Sequence, residues 1–481
     1  MAKPTGFLEI KRKDAKYRPV KERIKDYKNV VEYLSYDDVR EQASRCMDCG
    51  VPFCHCIGCS VENLIPEWND LVYKGKWKEA LERLENTNSL PEITGRVCPA
   101  TCEASCTLSI NDNPVAIKQI ELAIIEYGFK QGWIKPKIPG AKIDKKVAII
   151  GSGPAGLSAA IVLRELGYKV TVFEKSKAIG GILRYGIPDF KLEKWVIDRR
   201  IDIMKKSGIK FETGVNIGED MSEHYLRRSF DTILLTIGAG QPRDLTVPGR
   251  QLQGIHFAMD YLMCSNKYVS GDIKKDVPIN AKGKNVLVIG AGDTGSDCIG
   301  TANRQGAKKV YQFEILQKPE EWKESYNPNW PDWPLILRTT SSHKEGVERD
   351  WSITTKKFMG KNNQVQEIHC SRVEWKSSEK GLRPQMVEAQ GSDFTIKVDL
   401  VILATGFVHV EHNKLLKKLK IEYDQCGNIK TDINYTTNVE GIFAAGDSNV
   451  GASLVVRAIY DGQQVAMKMH GFLNSLNSSK K

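Results

Sequence analysis

The sequence lacks an apolar run at its start. Met1-Ala-Lys-Pro-Thr-Gly6 is polar and offers no core of a signal segment. Only Val147 to Leu163 is uncharged over the length of a short membrane span, and it holds Gly151, Gly153, Pro154 and Gly156. It therefore reads as a buried strand, loop and helix, and the chain is expected to be soluble and cytoplasmic, with no membrane contact. A module of interleaved aromatic and basic residues is also missing, so the net charge of +11 does not predict nucleic-acid binding. Its Lys and Arg residues are dispersed. The densest stretch, Lys11 to Lys28, also carries Asp14, Glu22 and Asp26, and reads as solvated surface before it reads as a docking face for an acidic partner. With no sign of export, the 12 cysteines are not expected to form a disulfide framework. Eight of them lie between Cys46 and Cys106, whereas Cys264, Cys298, Cys370 and Cys426 are scattered singly. Dense cysteines at short spacing in such a chain read as metal ligands.

At roughly 100–200 residues per domain, 481 residues predict two to four domains. An internal repeat organises them. Val147-Ala-Ile-Ile is followed by Gly151-Ser-Gly-Pro-Ala-Gly156, a helical stretch to Leu166, Gly167, then Lys169-Val-Thr-Val-Phe173 and Glu174. Val286-Leu-Val-Ile is followed by Gly290-Ala-Gly-Asp-Thr-Gly295, a helical stretch to Gln305, Gly306, then Lys309-Val-Tyr-Gln-Phe313 and Glu314. Each copy reads as strand, tight turn, helix, glycine cap, strand and acidic residue, the pattern of a dinucleotide-binding fold. The first glycine permits the turn, the second lets backbone approach a pyrophosphate at the helix N-terminus, and the third lets helix and strand pack closely. Glu174 and Glu314 would accept ribose hydroxyls. The candidate cofactor residues are Gly151, Gly153, Pro154, Ala155, Gly156 and Glu174 in the first copy, and Gly290, Gly292, Asp293, Thr294, Gly295 and Glu314 in the second.

Two such folds imply two dinucleotides, and a flavin with a nicotinamide makes a working hydride pair. The strand-turns Thr232 to Gly238, Leu400 to Gly406 and Gly441 to Asp447 complete the layout. It resembles the two-dinucleotide flavoprotein reductases related to glutathione reductase. That resemblance implies FAD on the first fold, NAD(P)H on an inserted second fold, and a return to the FAD domain, where Gly446 and Asp447 match the flavin-contacting pair. Gly180-Gly-Ile-Leu-Arg-Tyr-Gly-Ile-Pro188 is too rich in glycine for regular structure, so Gly180 and Gly181 are placed, with Gly238, near the flavin. The Cys-x-x-x-x-Cys redox pair of the disulfide reductases is absent, so electrons must leave the flavin by another route.

The N-terminal cysteines offer that route. Cys46-x2-Cys49-x4-Cys54 precedes Cys56 and Cys59, and Cys98-x3-Cys102-x3-Cys106 follows. Seven or eight thiolates could hold two four-iron clusters. Zinc is the alternative, but it would be structural and leave the flavin without an outlet. The motifs Arg45-Cys-Met-Asp-Cys-Gly-Val-Pro-Phe-Cys54, Asn63 to Asp70, Gly95 to Cys106, Val115 to Glu121, Gly292 to Cys298 and Arg304 to Lys308 resemble the small subunits of bacterial glutamate synthase over essentially the whole chain.

The resemblance implies that NAD(P)H reduces FAD and that two 4Fe-4S clusters pass electrons to a large FMN subunit, which makes glutamate from glutamine and 2-oxoglutarate. It implies Cys46, Cys49, Cys54 and Cys106 as ligands of one cluster. Cys59, Cys98 and Cys102 with Glu121 would hold the other, although the spacing around Cys56 and Cys59 departs from the family pattern and leaves the choice between these two open. The chain begins Met1-Ala2, without the N-terminal cysteine of an amidotransferase, and has no room for a (β/α)₈ barrel, so glutamate synthesis is expected to need the partner. A reductase module serving ferredoxin, a transhydrogenase or a pyrimidine reductase is the alternative. Glu314 leans slightly toward NADH, while Arg304, Lys308 and Lys309 could instead receive the 2′-phosphate of NADPH. The expected architecture is α/β: an α-helical cluster domain with linker at 1–145, an FAD domain at 146–245 and 400–481, and an NAD(P)H domain at 246–399.

Overall fold

A computed structural model describes residues 3–274, 276–376 and 384–478; Met1, Ala2 and 479–481 lie outside them. The N-terminal region is helical. Tyr36–Ala43 (α1), Ile65–Tyr73 (α2), Trp77–Thr87 (α3), Pro91–Val97 (α4) and Ile117–Lys130 (α5) pack around Trp68, Leu84 and Ile120, all fully buried. Ser35 caps α1 through the Asp38 N–H, and a proline in the first turn starts α2 and α4, where its missing N–H costs nothing. The apolar residues Ile65, Trp68, Trp77, Leu81 and Leu84 between the two cysteine groups therefore build core.

The first dinucleotide fold comprises Lys146–Ile150 (β1), Pro154–Glu165 (α6), Lys169–Glu174 (β2), Lys194–Lys206 (α7), Lys210–Thr213 (β3), Thr232–Leu235 (β4) and the late strand Ile442–Ala444. Its five-stranded sheet is parallel throughout, in the order Ile442–Ala444, β4, β1, β2, β3. Alternation along β1 sends Val147 and Ile149 into one core and Ala148 and Ile150 into another, which is why this strand reads as continuously apolar.

A ribbon of Gln241–Pro242 (β5) and Phe407–His409 carries the chain out of this fold and back. Between them stand Ile255–Phe257 (β6), Ala258–Val269 (α8), Asn285–Ile289 (β7), Asp293–Arg304 (α9), Lys309–Phe313 (β8), Glu348–Asp350 (β9) and Leu400–Leu403 (β10). Their parallel sheet runs β9-β8-β7-β10-β6. This corrects the boundary expected before Leu400. β10 is an inner strand of the second sheet, paired with β7 on one side and β6 on the other, and the chain returns to the first fold only after Gly406. The sequence Leu400-Val-Ile-Leu-Ala-Thr-Gly406 is thus the repeat's counterpart of Thr232 to Gly238. An antiparallel sheet of Ile353–Lys361, Gln364–Lys376, Gln385–Glu388 and Phe394–Lys397 covers the other face of the second fold.

Buried polar contacts join the three parts. Arg200 of α7 forms a bidentate pair with Glu92 of α4, at 2.6 and 2.8 Å. Glu345, 1 % exposed, accepts from Arg23 at 2.7 Å and from Arg304 at 3.2 Å. A long connection between β8 and β9 crosses to the cysteine region. Asn327 donates to the carbonyls of Ser109 and Ala104, and Trp330 Nε1 donates to that of Cys106 at 3.1 Å. Ser105 donates to the Pro331 carbonyl, and the Trp330 ring lies 4.8 Å from that of Phe53.

Candidate functional site

In the first fold the backbone forms a cradle. Gly151 has φ +104°, and a Cβ there would stand 2.3 Å from the Thr236 carbonyl oxygen. A Cβ on Gly156 would stand 2.1 Å from the Gly151 oxygen, so the third glycine lets α6 start against the turn. At Gly153 a Cβ would meet nothing within 4 Å. That open side is where a pyrophosphate can approach, with α6 beginning at Pro154 and Ala155. Glu174 accepts the Ser152 N–H at 3.2 Å and the Ser176 N–H at 2.8 Å. Ser152, which the sequence reading passed over, links the parts: its hydroxyl donates to Glu174 and accepts the Gly180 N–H at 2.9 Å.

The loop at Gly180 and Gly181 (φ +135° and +52°) lies against Gly153, since a Cβ on Gly181 would come within 2.8 Å of its Cα. Gly446 (φ +69°) abuts Ala155 in the same way. Asp447 accepts the Ser453 hydroxyl at 2.8 Å, and burial pushes its carboxyl up to about 6. Gly238 (φ +77°) ends the β4 strand-turn beside Thr236. The residues read as flavin contacts thus converge on one end of one sheet, the crevice expected of this fold.

The second fold repeats the cradle. A Cβ on Gly290 would stand 2.3 Å from the Ala404 oxygen, one on Gly295 2.4 Å from the Gly290 oxygen, and one on Gly292 in open space. Asp293 and Thr294 open α9. Glu314 accepts the Ala291 N–H at 2.8 Å and the Leu316 N–H at 3.1 Å. Arg304 is a correction: its side chain is 0 % exposed, sits over the Phe190 ring and is held by Glu345 and the carbonyls of Asp26 and Gly300. Nothing of it remains to meet a nucleotide. Its place at the end of α9 put it near the fold in sequence, but the helix carries it about 16 Å from the glycine loop. Lys309 pairs with Glu348.

The cysteines separate into two sets. Cys46, Cys49, Cys54 and Cys106 line one small cavity with Asn69, whose buried amide has no nitrogen or oxygen partner. Burial pushes the Cys46 thiol up to about 11 and raises Cys54 and Cys106. In the other set, burial pushes Cys59 up to about 12 and Cys98 up to about 11, raises Cys102, and carries the Glu121 carboxyl up to about 7. The charges of Cys59, Cys98, Cys102 and Glu121 act on one another, so they share one locality. Glu121 accepts from Thr94 and from Asn88 at 3.1 Å, and backbone N–H groups of Asn63 and Ala100 point at the sulfurs of Cys59 and Cys98. Cys56 is exposed. Thiols crowded in burial resist ionisation until a cation compensates them, which is the donor chemistry of a metal cluster. Among the described residues no three His, Cys, Asp or Glu groups gather closely enough to hold a single metal ion. Cys59 and Cys98 also pack against the apolar core of the first fold, whereas Cys46, Cys54, Cys102 and Cys106 belong to the N-terminal core, on which Cys59 packs as well.

Residues 145–462 match the pyridine nucleotide-disulphide oxidoreductase family, and residues 23–133 match the family described as dihydropyrimidine dehydrogenase domain II, 4Fe-4S cluster. The glutamate synthase [NADPH] small chain of Mycobacterium tuberculosis is 47 % identical over 478 residues, covering 98 % of this chain and 96 % of its own. The glutamate synthase [NADH] of Schizosaccharomyces pombe is 44 % identical over 96 % of this chain and 22 % of its own. Among solved structures, Mycobacterium tuberculosis FprA in complex with NADPH matches 70 % of this chain and 86 % of its own, with a TM-score of 0.56 and 17 % identity, a likeness of fold. Among the described residues no helix is long and apolar enough to cross a membrane. On sequence and fold together, the chain belongs to the pyridine nucleotide-disulphide oxidoreductase family and, within it, to the small chains of glutamate synthase.

Proposed function

We propose that the chain is the electron-input subunit of a glutamate synthase: it oxidises NAD(P)H at FAD and passes electrons through two 4Fe-4S clusters to a large FMN subunit that forms L-glutamate. When bound, FAD accepts a hydride and the clusters carry single electrons. The chain's own residues hold these groups and order them. Gly151, Gly153, Pro154, Ala155, Gly156, Gly180, Gly181, Gly238, Gly446 and Asp447 shape the FAD cradle, with Glu174 braced by Ser152. Gly290, Gly292, Asp293, Thr294, Gly295 and Glu314 shape the nicotinamide cradle. Cys46, Cys49, Cys54 and Cys106 would hold one cluster, and Cys59, Cys98, Cys102 and Glu121 the other. This reading takes Cys59 rather than Cys56. It rests on their unequal burial and on the common locality of Cys59, Cys98, Cys102 and Glu121. Thiol sets kept free suit a reducing cytoplasm, where we place the reaction.

The observation that carries the reading is the position of the second thiol set. Its Cys59 and Cys98 pack on the core of the first fold, while its Cys102 belongs with Cys46, Cys54 and Cys106 to the N-terminal core, so the set touches both cores. That placement provides the outlet which a fold without a redox cysteine pair needs. The experiment mixes the purified chain with a large subunit. NAD(P)H-dependent glutamate formation from glutamine and 2-oxoglutarate should appear only in the mixture, while the chain alone reduces an artificial acceptor. Iron and sulfide assays should return about eight of each per chain. Glutamate from this chain alone, or zinc in place of iron after anaerobic purification, would overturn the reading.

A further inference from the structure

Arg45 opens the first cysteine motif, immediately before Cys46, and nothing described above uses its charge. Its side chain is 1 % exposed. Nε donates to the Ile10 carbonyl at 2.9 Å, Nη1 to that of Pro114 at 2.7 Å and Nη2 to that of Asn113 at 2.9 Å. All three acceptors are neutral. Its one ion-pair partner among the described residues, Asp112, stands 3.9 Å away, beyond a hydrogen bond, and is 35 % exposed. Arg23, Arg200 and Arg304, by contrast, each hold a buried carboxylate directly.

A cation that water cannot reach and no carboxylate meets at contact distance calls for negative charge elsewhere. The first thiol set lies beside it. Arg45 lines the cavity shared by Cys46, Cys49, Cys54 and Cys106, and its charge and that of Cys106 act on one another. The Pro114 carbonyl that Arg45 grips belongs to the same peptide as the Val115 N–H, and that N–H is turned to the Cys106 sulfur. Guanidinium, peptide and sulfur thus form one polarised chain, in which the charge strengthens the N–H···S contact. Arg12 donates to the same carbonyl at 3.2 Å, but its charge is met by Asp14 and Glu103. Asn69 of α2 lines the cavity too, 0 % exposed, with neither end of its amide hydrogen-bonded. Lys118, the cation beside the second set, differs from Arg45: Glu103 and Glu121 act on it as well as Cys98.

We infer that Arg45 is the fixed positive charge that raises the reduction potential of the first thiol set when it holds its cluster, with the Asn69 amide as a second, smaller donor. The inference rests on reading that set as cluster ligands. Reduction adds one electron, supplied by NAD(P)H through the flavin, to a set already rich in negative charge. No bond forms or breaks, and the guanidinium keeps all its protons. A buried cation favours the reduced form, and N–H groups aimed at sulfur act in the same direction. Arg45 touches no substrate; it is a positioning residue for the electron.

The test is a potentiometric titration of the anaerobically purified, FAD- and cluster-loaded protein, read by electron paramagnetic resonance. The signal that Cys49→Ser abolishes and Cys59→Ser spares belongs to the first set. Arg45→Gln should lower its midpoint by at least about tenfold in the reduction equilibrium, about 59 mV for one electron, the scale of one unscreened charge about 10 Å away at an effective dielectric of about 20. Arg45→Lys should keep most of the native midpoint, because it keeps the charge and loses only the planar fork. Asn69→Leu should lower the midpoint by less than Arg45→Gln does. Asp112→Asn should raise it, a reversal of sign that a merely structural role does not produce. Iron assays accompany each variant, so that midpoints are compared at full cluster content. An unchanged midpoint in iron-replete Arg45→Gln, or an equal fall in Arg45→Gln and Arg45→Lys, would overturn the inference and leave the cluster reading intact. A native protein without iron would overturn both. If Arg45→Gln does not hold iron, Asp112→Asn decides: a raised midpoint supports the inference, and an unmoved one overturns it.

Discussion

Replacing Glu345 with Ala would remove one carboxylate and strand two cations. Arg23, Arg304 and Glu345 are 3 %, 0 % and 1 % exposed, so water cannot take over. Breaking a buried pair by deleting one partner costs about 3–5 kcal/mol. Two arginines share this carboxylate, but each keeps other acceptors: Arg23 holds the Arg18 and Ser341 carbonyls, and Arg304 those of Asp26 and Gly300. The loss should therefore stay at about 4 kcal/mol rather than double. For a cooperative unit of about 150–250 residues, 1 kcal/mol moves Tm by roughly 2–4 °C, which predicts a fall of about 8–16 °C in the transition that includes the second fold. Differential scanning calorimetry of the cofactor-loaded protein would measure it, with Lys318→Ala as control. Lys318 pairs with Glu321 on the surface and should move Tm by less than about 2 °C. A fall below about 3 °C for Glu345→Ala would refute the reasoning and return Arg304 to consideration as a nucleotide contact.

Gly292→Val should fold normally and lose nicotinamide-dependent dye reduction, because its Cβ side is open. Gly290→Ala should fail to fold, because its φ is +115° and its Cβ would meet the Ala404 oxygen; a stable Gly290→Ala protein would contradict this. Cys59→Ser should drop the iron content from about eight to about four per chain, and Cys56→Ser should leave it unchanged; iron assay and electron paramagnetic resonance decide between them. Asp447 gives a pH signature in the flavin-free chain. Its carboxyl is raised from 3.8 to about 6 by burial, so between these values the native state binds more protons than the unfolded one. Stability from this group is full below the lower value and lost as pH rises through the upper one. Urea midpoints at about pH 4.5 and 6.5 should differ less in Asp447→Asn than in the native chain.

What could be read from sequence was what repeats or crowds. Each glycine loop follows an apolar strand and opens a helix, and sterics leave few other uses for glycine at Gly151, Gly156 or Gly290, where a Cβ would strike backbone oxygen. The cysteine spacing announced metal chemistry. The boundary at Leu400 was misjudged because a buried parallel strand looks alike in either sheet; only pairing with β7 and β6 assigns it. Long-range partners were invisible. Arg304 and Glu345 are 41 positions apart and Arg23 and Glu345 322 apart, so no local pattern could show that these charges satisfy one another. Nor could spacing show that Cys59 turns inward while Cys56 faces water. Ser152 carried no motif, and only its partners marked it out.

The crossing at Asn327 to Pro331 also sets a timetable for the newborn chain. The first thiol set is complete once Cys106 has left the ribosome, but the segment that fastens onto Ser105, Cys106 and Phe53 is made about 220 residues later. At about 5–20 residues per second, that is an interval of roughly 10–45 s. During it the Ser105 hydroxyl, the Cys106 carbonyl and the Phe53 ring stand without these partners. Once Trp330 has seated, the Cys106 carbonyl holds its hydrogen bond and the Phe53 ring its neighbour. The turn that carries Cys106 is thus fastened from this side only after the connection between β8 and β9 has been made, an order fixed by where the two halves of one contact lie along the chain.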